Sequence, residues 1–208
     1  MKTFVTLLLA LSLAACSIMT RIEGDEVVND KLVVHVSDAW NRINDPWEGE
    51  SYDTWTQEGL PLDQLRIWGA VKPGQALMNK PQFYSRGADS KEPRVPTFKQ
   101  GLAAEKLVSL FEELYANEGA VTVTKIDRGS FAGQPGVRFE FTLERRADDL
   151  TLKGVGWVGV RNSPVEGEEL YAATFMAPKT SFFTRLLPMA EAVVQTARVK
   201  ESLVAGVR

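Results

Sequence analysis

The chain has 208 residues, of which 44% are hydrophobic and 25% are charged, and these proportions are typical of a globular protein. Its formal net charge of -3 excludes the basic footprint that binding to a phosphate backbone requires, so we expect no nucleic-acid partner. One cysteine and one histidine exclude an internal disulfide and would leave a zinc site dependent on carboxylates. We therefore expect no metal and no other cofactor.

The first sixteen residues have the order of features found in a secretory signal peptide. Lys2 supplies a positive charge, residues 4–13 are nearly all apolar, and small residues precede Cys16. An apolar segment of about ten residues is too short to cross a bilayer as a helix, which takes about 20 residues. The sequence Leu13-Ala14-Ala15-Cys16 resembles the lipobox of bacterial lipoproteins.

The lipobox resemblance implies a lipid anchor on Cys16. In that family the cysteine sulfur receives a diacylglyceryl group, a peptidase cuts before the cysteine, and the new amine is acylated with a chain such as palmitate. Ser17 follows, and in the resembling enterobacterial lipoproteins a residue other than aspartate there is compatible with transfer to the outer membrane. We expect an outer-membrane protein whose domain faces the periplasm. The alternative is an ordinary signal peptide that ends in a cysteine by chance.

The expected domain organisation follows from this start. Residues 1–15 would be the signal peptide, and the polar residues 16–30 would be the lipidated N-terminus and a short tether. A length near 200 residues favours one domain, so a single globular domain is predicted at 31–208.

Two strands and two irregular segments are predicted in the first part of this domain. Residues 31–36 are rich in β-branched side chains, and residues 64–71 alternate in the way a strand requires. Residues 41–59 are irregular and acidic. Residues 72–100 contain four prolines, which lack the backbone N–H that regular hydrogen bonding requires. We therefore predict a long loop there. A loop of that length in a compact domain is either mobile or functional.

The second half alternates between helical and strand patterns. Apolar residues at helical spacing predict an amphipathic helix over 102–115 and another between 182 and 199, with Pro188 at the start of the latter. Four strands with short turns are predicted between them, at 120–127, 137–144, 150–160 and 168–177, with one turn at 133–136. The alternation in 137–144 implies one buried face and one solvated face.

This order of elements predicts an α+β fold, mainly an antiparallel sheet flanked by two or more helices. The order, together with the ending from Leu170-Tyr171 through Leu187-Pro188 to Arg198, resembles the PsbP-like α-β-α sandwich over roughly residues 30–200. That family includes a photosystem subunit and many bacterial proteins of unknown role, and it is largely non-enzymatic. The resemblance therefore argues against catalysis without excluding it, and it carries no site residue to this chain.

Three motifs can be interpreted either as structural features or as chemical sites. Residues 154–159 match G-x-G-x-x-G, but no helix follows to meet a pyrophosphate, so we interpret the glycines as packing positions in a strand. His35 lies opposite the apolar face of its strand and lacks a nucleophile motif, which favours a surface histidine. Adjacent acids such as Glu168-Glu169 point in different directions and are predicted to be solvated.

Aromatic residues in polar sequence suggest a recognition surface. Tryptophan, tyrosine and arginine are enriched where partners bind. The candidate residues are Trp47, Trp55, Trp68, Tyr84 and Arg86. The alternative is that the tryptophans pin loops to the core, because tryptophan is usually well buried.

Three functions remain open at this point. The first is a non-enzymatic binding or scaffold protein for an envelope protein or glycan partner. The second is a binder of a small apolar or amphiphilic ligand between the sheet and a helix. The third is a hydrolase that uses His35 or a carboxylate. The residues favour a protein that is not an enzyme.

Overall fold

A computed structural model describes residues 19–44, 51–79 and 95–200 of the chain. Two helices and nine strands lie in these ranges. The helices are α1 (Ala104–Tyr115) and α2 (Phe182–Gln195). The strands are β1 (Met19–Val28), β2 (Leu32–Ile43), β3 (Asp53–Thr56), β4 (Gln64–Val71), β5 (Gly119–Phe131), β6 (Gln134–Arg145), β7 (Leu150–Ser163), β8 (Gly167–Pro178) and β9 (Arg198–Val199).

One antiparallel sheet joins all of these strands. Its order is β1-β2-β3-β4-β8-β7-β6-β5, and the short β9 pairs with β2. Strands that follow each other through short turns lie side by side, as expected where hairpins connect them. The predicted fold class, a mainly antiparallel sheet flanked by helices, is confirmed.

The two helices cover opposite faces of the sheet. On one face, Phe111 of α1 packs against Phe139 with ring centroids 5.5 Å apart. On the other face, Phe183 of α2 packs against Phe175 at 5.9 Å. Each face has its own buried apolar cluster, because successive side chains of a strand point to opposite sides. The result is the α-β-α layering that the element order predicts.

The prediction of a tether at 16–30 is wrong for Met19–Val28, which form β1. This strand pairs with β2 along its length, and Ile22 and Val28 are buried. A register shift between Ile22 and Gly24 interrupts the ladder. β1 lies at the edge of the sheet, where charged side chains and bulges are common, so its sequence lacks the alternation of a central strand.

The region 41–59 contains more regular structure than predicted. β2 continues to Ile43, and the four-residue β3 follows at Asp53–Thr56. A strand this short has too few residues to display a period of two. The loop prediction for 72–100 agrees with residues 72–79 and 95–100, which have no strand beyond an isolated bridge between Ala76 and Thr97.

The last helix begins earlier than predicted. Pro188 lies inside α2 rather than at its start, because the helix begins at Phe182. Phe183 and Leu186 are buried in the first turns and hold this segment against the sheet. Within the described ranges, the helices are too short and too polar to cross a membrane.

Candidate functional site: a groove beside Trp157

The predicted recognition surface is wrong for Trp55 and Trp68. Both indoles are 0% exposed, so neither contributes to a surface. The other three candidate residues, Trp47, Tyr84 and Arg86, lie outside the described residues, as does Cys16.

Trp68 instead fixes a loop to the core. Its Nε1 donates a hydrogen bond to the carbonyl oxygen of Leu77 at 2.8 Å. Its ring packs against Tyr52 at 4.9 Å and against Phe111 at 5.4 Å. The alternative interpretation, in which a tryptophan pins a loop to the core, is therefore confirmed for Trp68.

His35 pairs with an acid on an open part of the sheet. Its Nδ1 lies 2.8 Å from Oδ1 of Asp25, the residue opposite it on β1. Arg198 donates to the other oxygen of Asp25 at 2.9 Å. These two hydrogen bonds lower the pKa of Asp25. The imidazole and the carboxylate are both more than half exposed, so the pair lies outside any cleft.

The hydroxyl of Thr196, which contacts the backbone of His35, does not complete a nucleophilic triad. Oγ1 of Thr196 accepts a hydrogen bond from the backbone N–H of His35 at 2.8 Å rather than contacting its ring. The same hydroxyl donates to the carbonyl oxygen of Val193 at 2.7 Å. Hydrogen-bonded cross-strand pairs stabilise a sheet, and the contact between His35 and Asp25 fits that role.

One of the acids predicted to be solvated is buried. Glu169 is 0% exposed, and its Oε2 accepts from the Tyr171 hydroxyl at 2.8 Å and from Arg161 at 3.3 Å. Arg161 also contacts Glu166, which is paired with Lys31. Burial raises the pKa of Tyr171, which keeps the phenol protonated as a donor. The network ties the β1–β2 turn to the β7–β8 turn, and we interpret it as structural.

A groove lies between the sheet and the end of α2. It has a volume of about 530 Å³. We call it the Trp157 groove, and its apolar lining consists of Phe131, Ala132, Trp157, Val194 and Ala197. A volume of this size lies within the range of small-molecule sites, about 300 to 1,000 Å³.

The turn between β5 and β6 forms one side of the groove. This turn is Ala132-Gly133, and both residues have positive φ, at 52° and 74°. Two such residues are typical of a tight hairpin, whose twist matches that of its strands. The turn is shorter than the predicted 133–136, because β6 already begins at Gln134.

The glycine motif of β7 builds the floor. A Cβ atom at Gly159 would lie 2.6 Å from the carbonyl oxygen of Phe131, so only glycine lets the hairpin lie this close to β7. Trp157 is two residues away on the same face of the strand and is 7% exposed. The packing interpretation of the motif is therefore confirmed, and no helix follows β7 to bind a phosphate.

One arginine at the groove has a side chain without a charged partner among the described residues. Arg138 donates to Glu140 at 2.9 Å and lies 3.6 Å from Glu191. Asp127 is neutralised by Lys125 at 2.7 Å. Arg128 is exposed, and its side chain has no hydrogen bond or ion pair with the described residues. The groove therefore combines apolar walls with a free cation at its rim.

A second recess of about 530 Å³ lacks this combination. It lies beside Arg145 and Arg146. Arg145 donates to Asp148 at 2.9 Å, and Arg146 donates to the carbonyl oxygens of Ala116 and Asn117. Because both guanidinium groups are committed to the protein, we favour the Trp157 groove as the candidate site.

A metal centre has no support in the described ranges. Residues 19–44, 51–79 and 95–200 contain no group of three or more His, Cys, Asp or Glu side chains placed to hold an ion.

Sequence reasoning missed the groove because three distant segments form it. The tip of the β5–β6 hairpin, the middle of β7 and the end of α2 contribute to it. A usable signal was Trp157, an aromatic residue between Gly156 and Gly159 in a strand. That pattern lets neighbouring segments approach the strand closely on either side of a large ring, but it does not tell which segments do so.

Comparison with known proteins gives a fold and no family. No protein-family model matches the chain, and no curated protein matches it. Among solved structures, the chain is similar to LpqN, described as involved in cell envelope biogenesis of Mycobacterium tuberculosis. The TM-score is 0.50 at 10% identity, over 88% of this chain and 91% of that one. The two proteins share a fold.

A second similar structure is the cyanobacterial PsbP (CyanoP) from Synechocystis sp. PCC 6803. It has a TM-score of 0.48 at 8% identity and covers 90% of this chain and 96% of that one. At 10% identity the likeness to LpqN shows the fold alone, and no residue role is transferred from either protein.

Proposed function

We propose that this chain is a lipid-anchored protein of the cell envelope that binds a small amphiphilic anion in the Trp157 groove without transforming it. The single observation that carries the binding role is the groove itself, with its apolar walls and the uncommitted Arg128. The envelope location is supported by the lipobox at 13–16 and fits the role printed for LpqN, which has a similar fold.

The anchor has a direct test. Mass spectrometry of the purified protein should find a polypeptide that begins at Cys16 and carries acyl chains. The Cys16→Ala variant should lack this mass and should leave the membrane fraction. Separation of inner and outer membranes on a density gradient then tests the proposed outer-membrane location. An unmodified thiol at position 16 would overturn the anchor.

The chemistry of the groove indicates the class of ligand. An alkyl or ring system can contact the exposed edges of Trp157 and Val194, which are 7% and 8% exposed, and this contact removes a small apolar surface from water. An anionic group at the end of the same ligand can reach Arg128, which has no competing carboxylate among the described residues. A neutral or cationic ligand of the same length would gain only the apolar contact.

The test uses three ligands with one tail. Decanoate, decanol and decyltrimethylammonium are titrated against the non-acylated domain, residues 17–208, while tryptophan emission is followed. We expect saturable binding with decanoate tightest. The Trp157→Phe variant should lose the spectral change, because Trp157 lines the groove and the other described tryptophans, at positions 40, 55 and 68, do not.

Arg128→Gln separates the anion contact from the apolar contact. An exposed charge pair contributes about 0.2 to 1 kcal/mol, so decanoate should bind about 1.4- to fivefold more weakly while decanol is unchanged. Arg21→Gln is the matched control, because Arg21 is an exposed arginine of β1 that does not line the groove. Equal effects of the two variants would refute the role of Arg128. Absence of saturable binding by all three ligands would refute the groove as a site.

A further inference from the structure

We infer that the folded domain is held directly against the bilayer, with the surface around the start of β1 facing the lipid headgroups. This surface, which we call the β1-start surface, consists of Met19, Thr20, Arg21, Ile43 and Asn44. The inference rests on the proposed anchor at Cys16, and it concerns a surface that the Trp157 groove does not include.

The length of chain between anchor and strand carries the argument. β1 begins at Met19, three residues after Cys16. Three residues span at most about 10 Å even when fully extended. A domain of this size has a diameter of about 40 Å, as estimated from its radius of gyration. The connection is therefore about a quarter as long as the domain is wide. A connection this short does not let the domain turn freely above the membrane.

The start of β1 is also held firmly to β2, so it does not lengthen the connection to the anchor. Met19 pairs with Ile43, and Thr20 pairs with Arg42. The side chains of Thr20 and Asn44 are joined by hydrogen bonds of 3.0 and 3.1 Å. Ile22 is buried, which anchors the strand two residues further on. Fraying that lengthened the connection would break these contacts.

The charges near the β1-start surface are balanced. Arg42 is paired with Glu26 and with Asp53, each at 2.9 Å. Arg21 is exposed and lies 4.0 Å from Glu23. Attraction to anionic lipids needs a cluster of uncompensated Lys and Arg, which is absent from the described residues here. The acyl anchor alone then sets the distance, and contact should not depend on headgroup charge.

The experiment measures which side of the acylated, full-length processed protein meets the headgroups. The sequence has one cysteine, and the anchor occupies its sulfur, so an introduced cysteine is the single free thiol. A fluorophore is attached at Arg21→Cys or at Ala147→Cys, and the protein is inserted into phosphatidylcholine vesicles that carry a nitroxide on the headgroup. Ala147 is exposed in the β6–β7 turn, five or six strand positions from β1 in the sheet order.

We expect at least about twofold stronger quenching at position 21 than at position 147. The same ratio is expected in vesicles that contain phosphatidylglycerol. Inserting twenty Gly and Ser residues after Ser17 gives a flexible connection of about 25 Å and should bring the two positions toward equal quenching.

The outcomes distinguish this inference from the proposal it rests on. Equal quenching at the two positions of an acylated protein without the insertion would overturn the orientation and leave the anchor intact. Stronger quenching at position 147 would overturn it as well. An unmodified sulfur at Cys16 would overturn both the anchor and the orientation.

Discussion

Single residues of β7 decide how closely its neighbours can approach. Gly154 and Gly156 lie under the rings of Phe141 and Phe139, which are buried. A Cβ atom at either glycine would lie 2.2 Å from a ring carbon. Neither ring can swing away, because each stacks on another aromatic ring of the same cluster. The glycines therefore fix the packing of aromatic residues between the sheet and α1.

Gly156→Ala should destabilise the protein by about 1 to 3 kcal/mol, since overpacking displaces a buried ring. Urea unfolding followed by circular dichroism measures this loss. Gly129→Ala is the matched control, because a Cβ atom there would have its nearest neighbours at 3.4 to 3.6 Å, an ordinary contact distance. Equal unfolding midpoints for the two variants would contradict the packing role of Gly156.

Glu140 should contribute to the pH dependence of stability. The hydrogen bond from Arg138 holds the pKa of Glu140 below its ordinary value of 4.5. A carboxyl with a lowered pKa in the folded state stabilises the protein at neutral pH, and this contribution is lost as pH falls below about 4.5 toward the folded pKa.

Glu140→Gln should therefore lower the free energy of unfolding at pH 7, by less than about 1 kcal/mol because the pair is partly exposed. It should also make the loss of stability between pH 5 and pH 3 shallower. Urea midpoints across this range test both effects. Glu113→Gln, at an exposed position of α1, is the control, and an identical slope for the two variants would contradict the prediction.

At the scale of elements, α2 contains a residue that a helix disfavours. Pro188 lies in its interior, where proline removes a backbone donor and its ring crowds the preceding turn. The helix persists because Phe183, Leu186 and Ala190 are buried against the sheet on both sides of the proline. Tertiary packing outweighs the local preference here, and this is why the sequence predicted a later start.

Pro188→Ala should raise the free energy of unfolding by about 1 to 3 kcal/mol, because alanine restores the donor and the side chain at 188 is exposed. Thermal and urea unfolding measure the gain. Pro164→Ala changes a proline in the β7–β8 turn and should give no gain. A loss of stability in the helix variant would show that Pro188 has a packing role.

The central elements were predictable, and the peripheral ones were not. β4 matches the predicted 64–71 at both ends, and α1 begins two residues after its predicted start. These segments bury a full face, so their apolar residues repeat with the period of the element. β1 and β3 contribute few buried residues, so local pattern cannot separate them from loop.

At the scale of the whole molecule, β1 belongs to the folded domain. A chain that begins at residue 18 keeps this strand, and one that begins at residue 30 loses it. The shorter chain forfeits the burial of Ile22 and Val28, at about 1.5 to 3 kcal/mol for each side chain. It also exposes the edge of β2, which β1 otherwise pairs.

The shorter chain should lose at least about 3 to 6 kcal/mol, a large part of the stability of an ordinary domain. Circular dichroism and hydrogen exchange of both chains test this. If residues 18–29 were only a tether, their removal would not affect stability. Equal unfolding midpoints for the two chains would therefore restore the tether interpretation and contradict the short connection on which the proposed membrane orientation depends.

The sequence by itself determined the layered antiparallel fold and the resemblance of residues 13–16 to a lipobox, because both depend on residues that are neighbours along the chain or recur at a fixed period. Only the tertiary structure decided that Trp55 and Trp68 are buried, that Glu169 is buried, and that Trp157 faces a groove. Whether a side chain is buried or faces a groove depends on the residues that pack opposite it. Those residues come from distant parts of the chain, so local sequence does not reveal them. The distance from Cys16 to the domain needed both, since the sequence places the proposed anchor and the pairing of β1 fixes where the folded body begins.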